Sequence, residues 1–387
     1  MTFSMFRPVR VVAAGALLVL ALAALAGCSF EEEEKVWEIA GPVFGTRYHI
    51  NVVLTDNPER LENLAQGIEK VLEGVDASMS TWREDSELSR FNRLDDQSEW
   101  VEISTPLYEV LATADQVSEL TGGAFDVTIG PVVNLWGFGP DARPETIPSD
   151  DELAARMAVT GYGKLDLQAD PPALRASPNQ YIDLSAIAKG YGVDAVARYL
   201  KDEGIAAYLV EIGGEVQAHG HKPDGEAWRL AIEQPVSEMR EINRVVALDR
   251  HAMATSGDYR NYYESDGRRF SHTIDPKDGR PISHTLASVT VISDDCMTAD
   301  ALATAFNVMG HDRAKALATR ENIAAYFIVR GDNGFETDYT SPYGSFSAGP
   351  DDCRAAGCSD VRRGNFRPQA DQWHLRWHWC HGYQQVL

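Results

Sequence analysis

Positive charge is what this chain is shortest of: 35 lysines and arginines stand against 58 aspartates and glutamates in 387 residues, a formal charge of −23. Nucleic-acid affinity rests on cations that neutralise phosphates, so no nucleic-acid partner is expected. Cysteine is scarce too. Of five, Cys28 stands near the start and Cys353, Cys358 and Cys380 near the end, leaving Cys296 alone between them. No disulfide framework holds the body of the chain, and stability must come from a core that a chain of this length can bury. Tandem repeats are missing as well. The apolar fraction of 44% with 9% aromatics supplies enough apolar surface to offset ordering entropy, so most of the chain folds.

Nor is any apolar run long enough for a membrane span. The stretch 11–25 falls short of the roughly 20 residues a spanning helix needs. Arg7 and Arg10 precede it, the pattern of a secretion signal. Its ending "LAGC", Leu25 to Cys28, resembles the lipobox of bacterial lipoproteins. That implies cleavage before Cys28, lipidation of Cys28, and a periplasmic protein held at a membrane, where several acyl chains anchor stably and one does not. The inner membrane is the expectation, and Ser29 leaves the outer membrane open. The expected plan is a signal peptide over 1–27, a tether over 28–40 with the acids Glu31 to Glu34, one domain over 41–346, and an atypical tail over 347–387.

Leu61, Leu64, Ile68, Val71, Leu72 and Val75 recur at helical steps and predict one amphipathic helix. "TPLYEVLATADQVSEL" predicts a second after Ser104, with Pro106 in its first turn. Further helices are expected over about 185–200, with Ser185 as N-cap, and over about 297–309 and 313–320. Strand-like runs are "RYHINVVL", "AAYLVEIGG", "EVQAHG", "WRLAIEQ", "RVVALD", "ASVTVIS" and "AAYFIVRG". Strands and helices are mixed without strict alternation, which favours an α+β arrangement over a doubly wound sheet.

Five segments could carry chemistry. Lys189 stands beside Gly190 and Gly192 near a helix start, where a lysine can meet a phosphate and glycines permit close approach of a backbone or ligand. The loop-rich run Thr121 to Pro140 holds Asp126 between Phe125 and Val127. The stretch Ala254 to His284 offers Ser256, Asp258, Tyr259 and His272 for acid-base work, with Asp266-Gly267 and Asp278-Gly279 as turns. In "DDCMTADALATAF", Asp300, Thr304 and Asn307 form one polar stripe at i, i+4 and i+7. Read alone, the stripe suits a solvated helix face, although Ala299, Ala301, Ala303 and Ala305 leave space beside it. His219 and His221 make only a weak zinc pair, with no third ligand nearby.

Together "FGTRYHI", "MSTWREDSELSRFN", "GGAFDVTIGPVVNLWGFG", "DLSAIAKGYGVD", "EIGGEV", "TSGDYRNYY", "SHTIDPKDGRPI" and "CMTADALATAFNVMG" resemble the ApbE family of FAD:protein FMN transferases, over roughly Gly41 to Tyr343. The resemblance implies an α+β, T-fold-like domain with mixed sheets and flanking helices. It implies magnesium-dependent transfer of FMN from FAD to a threonine or serine of a target flavoprotein, with release of AMP. By motif, flavin contacts come from Phe44, Trp82, Ala124, Phe125, Asp126, Asp183, Lys189 and the backbone near Ile274. Magnesium is held by the Ala186 carbonyl, Asp300 and Thr304, and the alanines of the stripe become room for the pyrophosphate. The incoming hydroxyl needs a proton acceptor; His272 is the first candidate and Asp258 the second. A magnesium-dependent FAD pyrophosphatase and a non-catalytic FAD-binding protein are the competing readings. "FGT" replaces the more usual Met-Gly-Thr. The tail resembles nothing in the family and is read as out-of-frame sequence, against a Cys/His metal site or a partner-binding extension.

Overall fold

The computed structural model describes residues 33–139, 147–236, 241–258, 262–265 and 268–347. Its centre is an eight-stranded sheet: β1 (Lys35–Val43), β2 (Thr46–Leu54), β3 (Tyr208–Ile212), β4 (Glu215–His219), β5 (His251–Gly257), β6 (Leu286–Ser293), β7 (Ala324–Gly331) and β8 (Gly334–Tyr339). Strands lie side by side in chain order, each antiparallel to its neighbours.

Side-chain alternation with period two sorts the apolar residues of each strand onto two faces. Tyr208, Val210 and Ile212 of β3, Ala252 and Ala254 of β5 and Phe327 of β7 face the helices. Leu209, Met253, Tyr326 and Ile328 face the opposite side. There a two-stranded ladder, Trp228–Glu233 with Ile242–Leu248, covers the sheet together with the buried Tyr343.

The helical face carries α1 (Pro58–Met79), α2 (Thr105–Thr121), α3 (Ala188–Asp202), α4 (Cys296–Met309) and α5 (His311–Arg320). Apolar periodicity decides α1, whose Leu64, Ile68, Leu72 and Val75 are buried. Ser104 caps α2 by accepting the Leu107 N–H at 3.3 Å, and Gly122 ends it at a left-handed φ of +63°. Such a φ costs glycine nothing.

The α+β class is observed, and every pairing among the described residues is antiparallel. Two expectations are corrected. Residues 35–40, counted with the tether, are the start of β1, paired with β2 from Lys35↔Leu54 onward. Ser185 does not cap α3; residues 185–187 form a turn and the helix starts at Ala188. Short elements escaped the sequence reading, among them the helices Gly130–Leu135 and Asp150–Met157 and the hairpin Leu165–Ala169/Pro172–Ala176. Of the two expected Asp-Gly turns, Asp266-Gly267 lies outside the described residues, while Asp278-Gly279 closes the loop between Ile274–Asp275 and Arg280–Pro281. Cys28, Tyr259 and the tail beyond Ser347 also lie outside them. Among the described residues no helix is long and apolar enough to cross a membrane.

Candidate active site

The run into α3 explains why that helix has no side-chain cap from its own N-cap residue. Asp183 Oδ1 accepts the Ser185 N–H at 2.9 Å and also its hydroxyl, so the serine is spent on a turn. The N-cap residue is then Ile187, which has no side-chain acceptor. Early N–H groups of a helix need partners. One partner comes from α4, where Asp300 Oδ2 accepts the Gly190 N–H at 3.1 Å. The arrangement is reciprocal: Asp194 of α3 accepts the Cys296 and Met297 N–H groups, the first of α4, at 2.8 Å each.

Two helices that cap each other must come close, and glycine permits it. A Cβ on Gly190 would sit 2.4 Å from the Cys296 carbonyl oxygen and 2.8 Å from Met297 Cα. Any other residue would push the helices apart. One on Gly192 would meet the Phe44 ring at 2.9 Å. Both glycines are thus used for approach of protein to protein, and Phe44 is fixed by the second.

Lys189 projects from the first turn of α3 into this junction. Its Nζ lies 3.0 Å from Glu215 Oε1 and 3.5 Å from Asp300 Oδ2. The lysine side chain is 29% exposed, whereas each acid keeps only 6%. Glu215 reaches the cluster from the β3–β4 hairpin, whose Gly213 and Gly214 have φ of +62° and +106°. Burial pushes Asp300 upward while Lys189 holds it down, and burial pushes Glu215 up to about 8 against the same lysine. For Lys189, burial opposes the charge, yet Asp300 and Glu215 outweigh it and raise the pKa.

Two carboxylates face one ammonium, and Glu215 Oε2 is a buried oxygen with no hydrogen-bond partner. Such a site favours an additional cation. Thr304 follows Asp300 by one turn of α4, and the Ala186 carbonyl belongs to the turn before α3. A carboxylate, a hydroxyl and a carbonyl are hard oxygen donors suited to magnesium, so the donor set fits.

One part of the earlier expectation fails. Ala299, Ala301, Ala303 and Ala305 are between 0% and 1% exposed, packed with Leu302 and Phe306 in the core shared with α2. They give α4 close packing and leave no room for a pyrophosphate.

The remaining predicted residues lie on several other elements. Met79, Ile187, Tyr191 and Phe125 belong to one large core cluster. Trp82, just past α1, is 69% exposed, a large aromatic held out to solvent. Asp126 is committed to neighbouring donors: Oδ1 accepts the Thr128 N–H and hydroxyl at 2.8 and 2.6 Å, and Oδ2 accepts the N–H of Tyr162, from a separate turn, at 3.1 Å. Ala124 lies half-buried beside Phe125, and the Asp183 N–H donates to the Val127 carbonyl at 2.8 Å.

Ile274 is buried in a smaller core with Trp136 and Phe270, where the Trp136 Nε1 donates to the Gly279 carbonyl at 2.8 Å. His272 is half-buried there and meets the Phe138 ring edge-on at 6.4 Å. Asp258, by contrast, accepts from the Arg330 guanidinium and is committed to an ion pair. His219 stacks on Tyr208 at 5.3 Å. Among the described residues no three of His, Cys, Asp and Glu group as a metal site.

Glu215 and Asp194 were not singled out from sequence. An acid directly after a Gly-Gly pair, and an acid in the apolar part of a helix, were the available signals.

The ApbE family model matches residues 44–327. This chain belongs to the ApbE family. It is 46% identical to the FAD:protein FMN transferase of Vibrio cholerae over 83% of this chain and 95% of that one. With the protein of the same description from Haemophilus influenzae it shares 44% identity, over 85% of this chain and 96% of that one. Among solved structures, the flavin transferase ApbE from Vibrio cholerae aligns with a TM-score of 0.74 and 44% identity, covering 81% of this chain and 99% of that one. The apo flavinyl transferase ApbE of Pseudomonas stutzeri aligns with a TM-score of 0.74 and 42% identity, over 82% and 98%.

Proposed function

We propose that this ApbE-family enzyme transfers FMN from FAD to a threonine or serine hydroxyl of a target flavoprotein. The observation that carries the reading is the Lys189–Glu215–Asp300 cluster at the start of α3. A helix start and a lysine together attract phosphate. Asp300, beside that lysine, provides a carboxylate oxygen for a cation.

In the reaction the acceptor oxygen forms a bond to the FMN phosphorus, the bridging P–O bond breaks, and AMP leaves with that oxygen. Magnesium held by Asp300, Thr304 and the Ala186 carbonyl would supply neutralisation of phosphoryl charge. Lys189 contributes a fixed positive charge beside the same oxygens. His272 takes the proton of the incoming hydroxyl, since Asp258 is bound to Arg330. Phe44 and the exposed Trp82 supply aromatic faces for the flavin, and Asp126 and Asp183 fix the loops around Ala124 and Phe125.

The enzyme works in the periplasm, anchored through Cys28, a reading that rests on the "LAGC" signal alone. Incubating the soluble part with FAD, magnesium and a fragment of a candidate flavoprotein tests the proposal. Covalent flavin on the fragment with AMP release supports it. Free FMN alone makes the protein a pyrophosphatase, and unchanged FAD makes it a binder.

A further inference from the structure

Asn307 is the member of the α4 polar stripe that the reaction above leaves without a role. It is fully buried. Its Nδ2 donates to Ser256 Oγ at 3.1 Å and to Thr273 Oγ1 at 3.3 Å, while its Oδ1 has no hydrogen-bond partner. A buried amide with an unmet acceptor costs stability that an apolar side chain of similar volume would not. Core packing alone therefore favours leucine here. What the amide adds is attachment of α4 to two other pieces of chain.

Both attachments fall beside candidate acid-base residues. Thr273 directly follows His272, and Ser256 lies on β5 two residues before Asp258. Thr273 is also held from the other side, its carbonyl accepting the Ile282 N–H at 3.0 Å and its own N–H donating to Ser271 Oγ at 3.1 Å. The backbone around His272 is thereby fixed between the Ile282 segment and Asn307. On α4 itself, Asp300 and Asn307 are separated by about 10 Å of helix rise at 1.5 Å per residue. One rigid helix carries the acid of the phosphoryl side at one end and the tie to the histidine at the other.

We propose that Asn307 is a positioning residue that fixes His272 relative to Asp300. The proposal rests on the transferase reading. Misplacement of a reacting group by about 1 Å is enough to cost a factor of about 10². Loss of the tie should then slow the proton-transfer side of the reaction without altering how FAD is held.

The test compares the parent protein with Asn307→Leu, Thr273→Val and the double variant. FAD affinity is read by quenching of flavin fluorescence, and single-turnover transfer to the acceptor fragment is read by covalent flavin. The expected result is a transfer rate reduced at least tenfold in Asn307→Leu, with FAD affinity within twofold and an unchanged melting profile. Thr273→Val should fall in the same direction, and the double variant should be no slower than Asn307→Leu, since both remove one interaction. Asn307→Leu transferring within twofold of the parent would overturn the proposal. So would losses that multiply in the double variant, or a parallel fall in FAD affinity and melting temperature, which marks a purely structural role. If the parent releases FMN without labelling the fragment, the transferase reading fails instead, and the positioning role is rejected unless FMN release shows the same pattern across the variants.

Discussion

Asp300 holds the Gly190 N–H and Lys189 on one oxygen, so its charge and its acceptor capacity are separable by substitution. Asp300→Asn keeps an acceptor for the capping bond and removes the charge, whereas Asp300→Ala removes both. The asparagine variant should retain its circular dichroism and lose transfer by about 10²–10³ or more, the scale of a lost electrostatic stabiliser at a reacting oxygen. Retained turnover would return Asp300 to being a helix cap. His272→Ala should cost about 10²–10⁴ in rate with FAD binding intact; full transfer would place the proton acceptor elsewhere. The spacing of Asp300, Thr304 and Asn307 was legible because helical geometry puts i, i+4 and i+7 on one face. What lay opposite them was not legible. Glu215 becomes part of the site through Lys189 on another element and Asp194 through an N–H 102 residues away, and local pattern carries no trace of such pairings. The alanines misled for a related reason: a small side chain means open space or close packing according to what stands against it.

At the scale of elements, α1, α2, α4 and α5 were readable because apolar periodicity and caps are local. The start of α3 was misread because Ser185 is drawn away by Asp183, and the true cap arrives from another helix. β1 escaped because its alternating set, Trp37, Ile39 and Gly41, is short, ends in a glycine and is followed by Pro42 within the strand. The mutual capping of α3 and α4 has a pH signature. Burial raises Asp194 to about 7, although the Cys296 and Met297 N–H groups favour its charged form. The unfolded chain releases that proton near the ordinary aspartate value of 3.8. Since the folded state holds the proton over a wider range, this group's contribution to stability is fullest below about pH 4, declines as pH rises towards about 7, and is level above. Asp194→Asn removes the titration and weakens one of two helix-start bonds, a loss on the order of 1 kcal/mol. Melting temperatures should therefore show the variant below the parent near pH 4, gaining on it as pH rises and no longer below it at pH 8. A difference independent of pH would show that Asp194 stays ionised in the fold.

For the whole molecule, composition bounded size and class, and it could not order the strands. Eight strands in chain order are built by hairpins and returns whose partners are set by which faces must be buried together. The family resemblance implied the α+β class, and the strand order came only with the structure. The end of the fold is also a matter of burial. Tyr343 is 1% exposed and stacks on Tyr326 at 4.9 Å, the Phe346 carbonyl accepts the Ala247 N–H at 3.1 Å, and Ser347 bridges to Val246. These contacts close the side of the sheet opposite the helices. A chain cut after Ser347 keeps all of them, so its melting temperature and transfer rate should match those of the full protein, as expected if the tail is out-of-frame sequence. Cutting after Thr340 removes Tyr343 and Phe346 together. The lost burial of one large aromatic alone is worth about 3–5 kcal/mol, a large share of the roughly 5–15 kcal/mol that holds a domain folded. That shorter chain should therefore melt many degrees lower or fail to accumulate. Thermal unfolding of the two truncations beside the parent decides the matter. If the cut after Ser347 already lowers the melting temperature or the transfer rate, the tail belongs to the working protein.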